Sequence, residues 1–141
     1  MKTPWHIWLI GIVSLLWNAG GAYDYVMTVS KNTGYIAQFT PEQLAYFSSF
    51  PSWMMFSWAL GVWAAVLGSL LLLLRSGFAV MAFALSLVGL AGSLIYNFIL
   101  TDVDYLALVG SAGLWFTVAI VVVAILLYLY ARTMRQRGVL S

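Results

Sequence analysis

Four long apolar stretches constrain this chain more than any other feature of its sequence. The hydrocarbon core of a bilayer is ~30 Å thick, so about 20 helical residues are needed to cross it. Backbone groups in lipid must be satisfied within a helix or by closing a barrel, and runs such as Leu70–Leu74 lack the alternation of a barrel strand. We therefore predict an all-α integral membrane protein, a four-helix bundle with spans at about residues 5–27, 52–74, 77–100 and 106–131.

Composition excludes several other classes of protein. The chain is 64% hydrophobic and only 7% charged, whereas an average soluble domain is roughly a quarter charged. No stretch has the basic face of a nucleic-acid-binding protein. The absence of cysteine excludes disulfides, thiolate metal sites and thiol catalysis. We expect one membrane domain over residues 1–141, with the lipid bilayer as its surroundings.

The first apolar stretch also has the features of a signal peptide. Lys2 gives a positive start, residues 6–17 form a short hydrophobic region, and residues 19–22 form a passable cleavage site. Because this region is rich in tryptophan and interrupted by His6, we favour a retained transmembrane helix.

The basic residues predict the orientation of the four spans. All but Lys31 fall at the N-terminus, in the second connection or in the tail at 132–141, and the positive-inside rule places these segments in the cytoplasm. Both termini are then cytoplasmic and the loop at 28–50 is outside. The acids lie on that outer side: Asp24, Glu42, Asp102 and Asp104.

The outer loop contains a helix start. In Thr40-Pro41-Glu42-Gln43, threonine can act as the N-cap, proline suits the first helical position, and Gln43 can close a capping box. The sequence therefore predicts a short helix on the outer membrane interface, ending before Pro51.

Small residues recur at spacings of three and four in the first three spans, which is typical of helices that touch in lipid. The fourth span lacks such a pattern, so we expect it to be the most lipid-exposed helix or to face another subunit, with a bend at Gly110 or Gly113. The predicted packing residues are Gly21, Gly61, Gly68, Ser86, Gly89 and Ser93.

Asn18 lies about 3 Å outward of the midpoint of the first span, from the 1.5 Å rise per residue. An unpaired amide at this depth is costly, so we expect a hydrogen bond across the helix contact, to Ser57 or Ser86. One interpretation is a structural clamp between helices. The other is one wall of a polar, outward-facing ligand pocket, whose candidate residues are Asn18, Asp24, Tyr25, Tyr96, Asn97 and Asp102.

Catalysis and cofactor binding find little support. The single histidine, His6, falls on the opposite side from all four acids, so no Ser–His–Asp set is predicted. A lone histidine is a poor metal or haem ligand. Polar residues at the outer interface are also commonly exposed to water there without binding a ligand. We predict no enzyme, no metal and no cofactor.

Residues 47–53, 58–63 and 68–75, which include Trp58-Ala59-Leu60-Gly61-Val62-Trp63, resemble small bacterial four-span membrane proteins of unassigned function. Such proteins are loosely labelled as sugar transporters or placed near DoxX-like proteins. The resemblance, mainly over residues 1–100, implies a bacterial inner-membrane setting and carries no functional residue with it.

Two functions follow as hypotheses. The first is a non-enzymatic structural or accessory membrane subunit that associates with itself or with a larger membrane complex. The second is a small-solute carrier or binding protein that uses the pocket near Asn18, Asp24 and Asn97.

Overall fold

Helices form wherever the sequence is apolar or carries a capping signal. The computed structural model describes residues 3–141, and no β-strand occurs in that range. The predicted all-α fold is therefore confirmed for these residues, and Lys2 lies outside them. The elements are α1 (Trp5–Val29), α2 (Thr33–Ile36), α3 (Pro41–Ser48), α4 (Ser52–Leu73), α5 (Phe78–Ile95), a π-helical turn that continues α5 (Tyr96–Leu100), and α6 (Tyr105–Gln136).

Three helical segments are long and apolar enough to cross a membrane: Ser52–Leu73, Phe78–Leu100 and Tyr105–Gln136. Helix α1 has 25 residues but is not among them. Its length is sufficient, and its hydropathy is lowered by polar residues such as His6, Asn18 and Asp24.

The outer surface of the bundle is apolar, unlike that of a soluble protein. Large apolar side chains face outward on every long helix, including Leu16 of α1, which is 70% exposed. Several polar side chains are buried together with the apolar core, among them Asn18 at 9% and Ser69 at 0% exposure. Water penalises this arrangement, whereas lipid favours it.

Helices α4 and α5 form an antiparallel hairpin and share the largest contact in the bundle. The connection is tight because Arg75 adopts a left-handed conformation with φ of 56°. Helix α1 packs antiparallel against α4. Helix α6 is the least enclosed of the three apolar segments, with 6% of its most apolar 18-residue stretch buried against 22% in α4 and 28% in α5. The prediction that α6 is the most exposed helix is therefore confirmed among these three segments.

Most of the buried apolar side chains of α1, α4, α5 and α6 meet at the end of the bundle that carries the arginines, which we call the basic end. Gly138, with φ of 79°, turns the chain after α6. This turn brings Leu140 into the core and lets the Ser141 amide donate to the Arg75 carbonyl at 3.0 Å. Residues 132–136, predicted as tail, are the last turn of α6. The core comprises Ile7, Leu72, Ala79, Phe83, Leu127, Ala131, Met134 and Leu140.

Two backbone irregularities lie at the opposite end, which carries the acids and is called the acidic end. The predicted bend in the fourth span is confirmed at Gly110, whose φ of 73° and ψ of −177° interrupt α6. That region of φ and ψ is essentially restricted to glycine. The third span, predicted as a regular helix to residue 100, instead ends in the π turn at Tyr96–Leu100.

Candidate functional site: a buried polar seam and an aromatic cap

A hydrogen-bonded polar seam joins α1 to α4. The hydroxyl groups of Ser14 and Ser69 lie 2.8 Å apart, and the Asn18 side-chain amide donates to Ser69 Oγ at 2.9 Å. The same amide donates to the Ala65 carbonyl at 3.1 Å. All three side chains are buried. The seam therefore satisfies the side chains of Ser14 and Asn18, which would be costly if left unpaired in lipid.

The predicted partners of Asn18, Ser57 and Ser86, are wrong. Both serines lie at the α4–α5 contact instead, where Ser86 Oγ donates to the Gly61 carbonyl at 2.7 Å. The reason is rotational: residues 65 and 69 of α4 face α1, whereas residues 57 and 61 face α5.

The predicted packing glycines divide between these two contacts. A Cβ atom added to Gly89 would lie 2.5 Å from the Ser57 carbonyl oxygen, and one on Gly68 would lie 2.6 Å from the Phe83 ring. A Cβ atom added to Gly61 would lie in the same α4–α5 contact but slightly farther from its neighbours. Gly21 faces Val62 at an ordinary 3.6 Å, so its contact does not require a glycine. Ser93 bonds back to the Gly89 carbonyl of its own helix, at 3.1 Å.

The loop at 28–50 folds over the acidic end as an aromatic cap, made of Tyr35, Phe39, Tyr46, Phe47 and Phe50. Its rings contact one another edge to face with centroids 5.2–5.9 Å apart, which is the favoured aromatic geometry. The predicted short helix is confirmed as α3, including the reciprocal capping box between Thr40 and Gln43.

Tyr46 is the centre of the cap. Only 3% of it is exposed, and its ring packs against those of Phe50, Tyr96 and Tyr105. Its hydroxyl donates to the Asn97 side chain in the π turn. Burial raises the pKa of Tyr46 to about 12, so the phenol remains a neutral donor until the pH approaches that value.

Gln43 ties the cap to α6. While its side-chain oxygen accepts from the Thr40 amide, its side-chain nitrogen donates to the Leu108 carbonyl at 3.1 Å. Leu108 lies two residues before Gly110, where the backbone leaves the helical φ and ψ. One short helix therefore bonds to both irregular backbone segments, the π turn through Tyr46 and the interrupted turn of α6 through Gln43.

The structure places the predicted pocket residues in several different contacts. Asn18 is in the seam, Tyr25 packs edge to face on Trp58 at 4.9 Å, and Tyr96 contacts Tyr46 of the cap. Asp102 is exposed in the loop before α6.

Asp24 and Asn97 both accept hydrogen bonds from tyrosines of the cap. The Tyr35 hydroxyl donates to Asp24, as that of Tyr46 does to Asn97. Burial, followed by the hydrogen bond to Asp24, raises the pKa of Tyr35 to about 12. These contacts fasten the loop at 28–50 to α1 and to the π turn.

A groove of about 410 Å³ opens between the acidic half of α6 and the end of α5. Its walls are residues 94–99 and 114–122, and its lining is almost wholly apolar, with Phe98, Val118 and Val122 among the contributors. None of the predicted pocket residues lines it. The groove can take up an apolar side chain or a lipid tail, and it offers no polar group beyond Thr117 for recognising a solute.

At the basic end, His6 Nδ1 and the Tyr130 hydroxyl lie 2.5 Å apart and join α1 to α6. Within residues 3–141, no three His, Asp or Glu side chains lie together in a way that could hold a metal ion. Of the buried side-chain polar atoms in the same range, Thr28 Oγ1 is the one without a hydrogen-bond partner.

Sequence reasoning missed Ser69, Tyr46 and Gln43 as contact residues between elements. Ser69 lies within an apolar run of leucines, where a single serine has no local signal. The capping role of Gln43 was predictable from its spacing to Thr40, but its bond to Leu108 spans 65 residues. Such a contact depends on how the loop docks.

Comparisons with known proteins identify no relatives, since no protein-family model, curated protein or solved structure matches the chain.

Proposed function

We propose that the chain is a four-span membrane protein without catalytic activity, which serves as a structural or accessory subunit in a membrane assembly. The observation that carries this proposal is the apolar outer surface of the bundle, which exposes large apolar side chains on every long helix while several serines and Asn18 are buried. Hydrogen bonds from the buried Ser14, Asn18, Ser69 and Ser86 side chains join α1 to α4 and α4 to α5. They leave the outer surface to lipid and to other membrane helices.

We include α1 as the fourth span because of the side chains on its surface. Its exposed side includes Leu9, Ile12, Val13 and Leu16, each at least half exposed. Its polar Ser14 and Asn18 face α4, so its low mean hydropathy comes partly from residues that lipid would not meet. A helix of 25 residues at 1.5 Å per residue also has the length required.

The charges support a cytoplasmic position for the basic end. Arg75, Arg132, Arg135 and Arg137 lie there, while all four acids of the chain lie toward the acidic end. The positive-inside rule then places residue 3 and the end of α6 in the cytoplasm and the aromatic cap outside. A bacterial inner membrane is the setting implied by the sequence resemblance.

Association is supported by α6 and by the α5–α6 groove. The exposed face of α6 carries large apolar side chains such as Trp115, Phe116 and Leu126. Packing rather than hydrophobicity drives helix association in lipid, and a groove into which a side chain fits provides packing. We propose that this face contacts a second copy or another membrane subunit.

Solute carriage, the alternative function, would require Asn18, Asp24 and Asn97 to open to water. Asn18 is buried between two helices, and the other two accept hydrogen bonds from the cap. The carrier hypothesis is therefore supported only by the sequence.

The association is tested by mass measurement after purification in mild detergent. We expect a particle larger than one chain, and Val118→Trp, which fills the groove, should shift it toward the monomer. Val13→Trp is the matched control, because Val13 is exposed on α1 away from the groove. A monomeric wild-type protein without co-purifying partners would contradict the proposal, as would equal effects of the two variants.

A further inference from the structure

Four arginines surround the basic end and form what we call the arginine rim: Arg75, Arg132, Arg135 and Arg137. They come from two segments distant in sequence, the turn between α4 and α5 and the last turns of α6. The fold brings these segments together, since the Ser141 amide donates to the Arg75 carbonyl at 3.0 Å. Arg135 Nε also lies 3.3 Å from the position that a Cβ atom on Gly77 would occupy. The rim is thus a feature of the folded protein.

The rim has no carboxylate side chain to balance it. The four acids of the chain are Asp24, Glu42, Asp102 and Asp104, and all lie toward the acidic end. The rim arginines are exposed, and Arg75 donates to the neutral Thr3 hydroxyl at 2.7 Å. The partial negative charge at the C-terminal ends of α4 and α6 offsets part of the repulsion between them. The Ser141 carboxyl carbon also lies 3.3 Å from the same Gly77 Cβ position, and an external anion would offset more of the repulsion.

The type of cation favours phosphate as this anion. Every cation of the rim is an arginine, whose planar guanidinium can bind phosphate oxygens in a bidentate manner, unlike the point charge of lysine.

The neighbours of the rim indicate where the phosphate comes from. Leu74 and Phe78 flank Arg75 and are 74% and 71% exposed, and Trp5 at the same end is 72% exposed. Exposed apolar side chains next to guanidinium groups mark the boundary between hydrocarbon and headgroups. A soluble phosphate compound would gain nothing from these apolar neighbours, whereas a phospholipid would contact both.

We propose that the arginine rim binds the headgroups of anionic phospholipids and thereby recruits these lipids around the basic end. This rests on the proposed membrane embedding. Each basic residue near an anionic surface is worth roughly a fivefold change in binding. The preference should weaken as ionic strength rises, because exposed charges are screened.

The test uses the full chain in nanodiscs of phosphatidylcholine mixed with phosphatidylglycerol, with bound lipids measured by native mass spectrometry. Wild type should be enriched in phosphatidylglycerol, and the double variant Arg132→Gln/Arg135→Gln should lose this enrichment by about fivefold or more. Lys31→Gln is the matched control, since it removes one positive charge at the acidic end and should leave the enrichment unchanged.

Three results would overturn the inference: no enrichment in wild type, equal loss in the Lys31 control, or complete competition by inorganic phosphate at the same concentration. The last would identify a free-phosphate site instead. Incorporation into phosphatidylcholine nanodiscs is scored separately. A chain that incorporates but shows no enrichment contradicts only the rim, whereas a chain that fails to incorporate contradicts the membrane proposal as well.

Discussion

Replacing Gly89 by alanine is expected to separate α4 from α5 and to lower the free energy of unfolding by about 3 kcal/mol. A Cβ atom at this position would lie 2.5 Å from the Ser57 carbonyl oxygen and would also meet the Gly61 backbone nitrogen. Both are backbone atoms of α4, so no side-chain rotation can relieve the clash. The helices must move apart, and this also lengthens the bond from Ser86 to the Gly61 carbonyl.

The sign of the change makes this substitution informative. In a helix without such a clash, glycine to alanine stabilises by about 1 kcal/mol through helix propensity. Gly20 of α1 is the matched control, because nothing lies within 4 Å of its added Cβ atom. Thermal unfolding in detergent should show opposite shifts for the two variants. A neutral or stabilising Gly89→Ala would mean that α4 and α5 do not approach this closely.

The second large effect is expected at Tyr46. Tyr46→Ala removes the buried ring on which the cap, the π turn and the start of α6 converge, and a buried aromatic replaced by alanine costs about 3–5 kcal/mol. The loop at 28–50 should then lose its hold on the helices and become sensitive to protease. The measurement is the rate of cleavage within this loop, together with the unfolding temperature.

Two further variants separate the contributions of Tyr46. Tyr46→Phe keeps the ring and removes the hydroxyl that bonds to Asn97, so we expect a loss of only about 1 kcal/mol. Tyr23→Ala is a control for ring removal at the same end, because Tyr23 is 57% exposed and contacts a single ring of the cap, that of Tyr35, so its loss should matter less. If Tyr46→Ala leaves the loop as resistant to protease as Tyr23→Ala does, the aromatic cap is not docked as described.

The features that were predictable from the sequence are local. The capping box of Thr40 and Gln43 depends on residues three positions apart, and Gly110 carries its own backbone freedom. The apolar segments can be recognised in the sequence because each is a continuous run of about 20 apolar residues, the number that is needed to cross lipid. Each of these signals is complete within one or two turns of helix or within one continuous run.

The contacts between elements were less predictable, because they depend on the rotation of each helix about its axis. The expected partners of Asn18 were polar residues at a suitable depth, but Ser57 and Ser86 face another helix. A rotation of α4 about its axis by less than half a turn would bring residues 57 and 61 to α1 in place of residues 65 and 69. The same applies to Asp24 and Asn97, whose depth suggested one pocket while the cap engages each separately.

The central claim is that α1 crosses the membrane with α4, α5 and α6, leaving the basic end in the cytoplasm. Because the chain has no cysteine, Thr3→Cys and Glu42→Cys each introduce one thiol for a membrane-impermeant maleimide. The two positions flank α1 on either side. We predict that Glu42→Cys is labelled in intact cells and that Thr3→Cys is labelled only after lysis. Labelling of both variants in intact cells, or of neither, would place the two ends of α1 on one side and contradict the account.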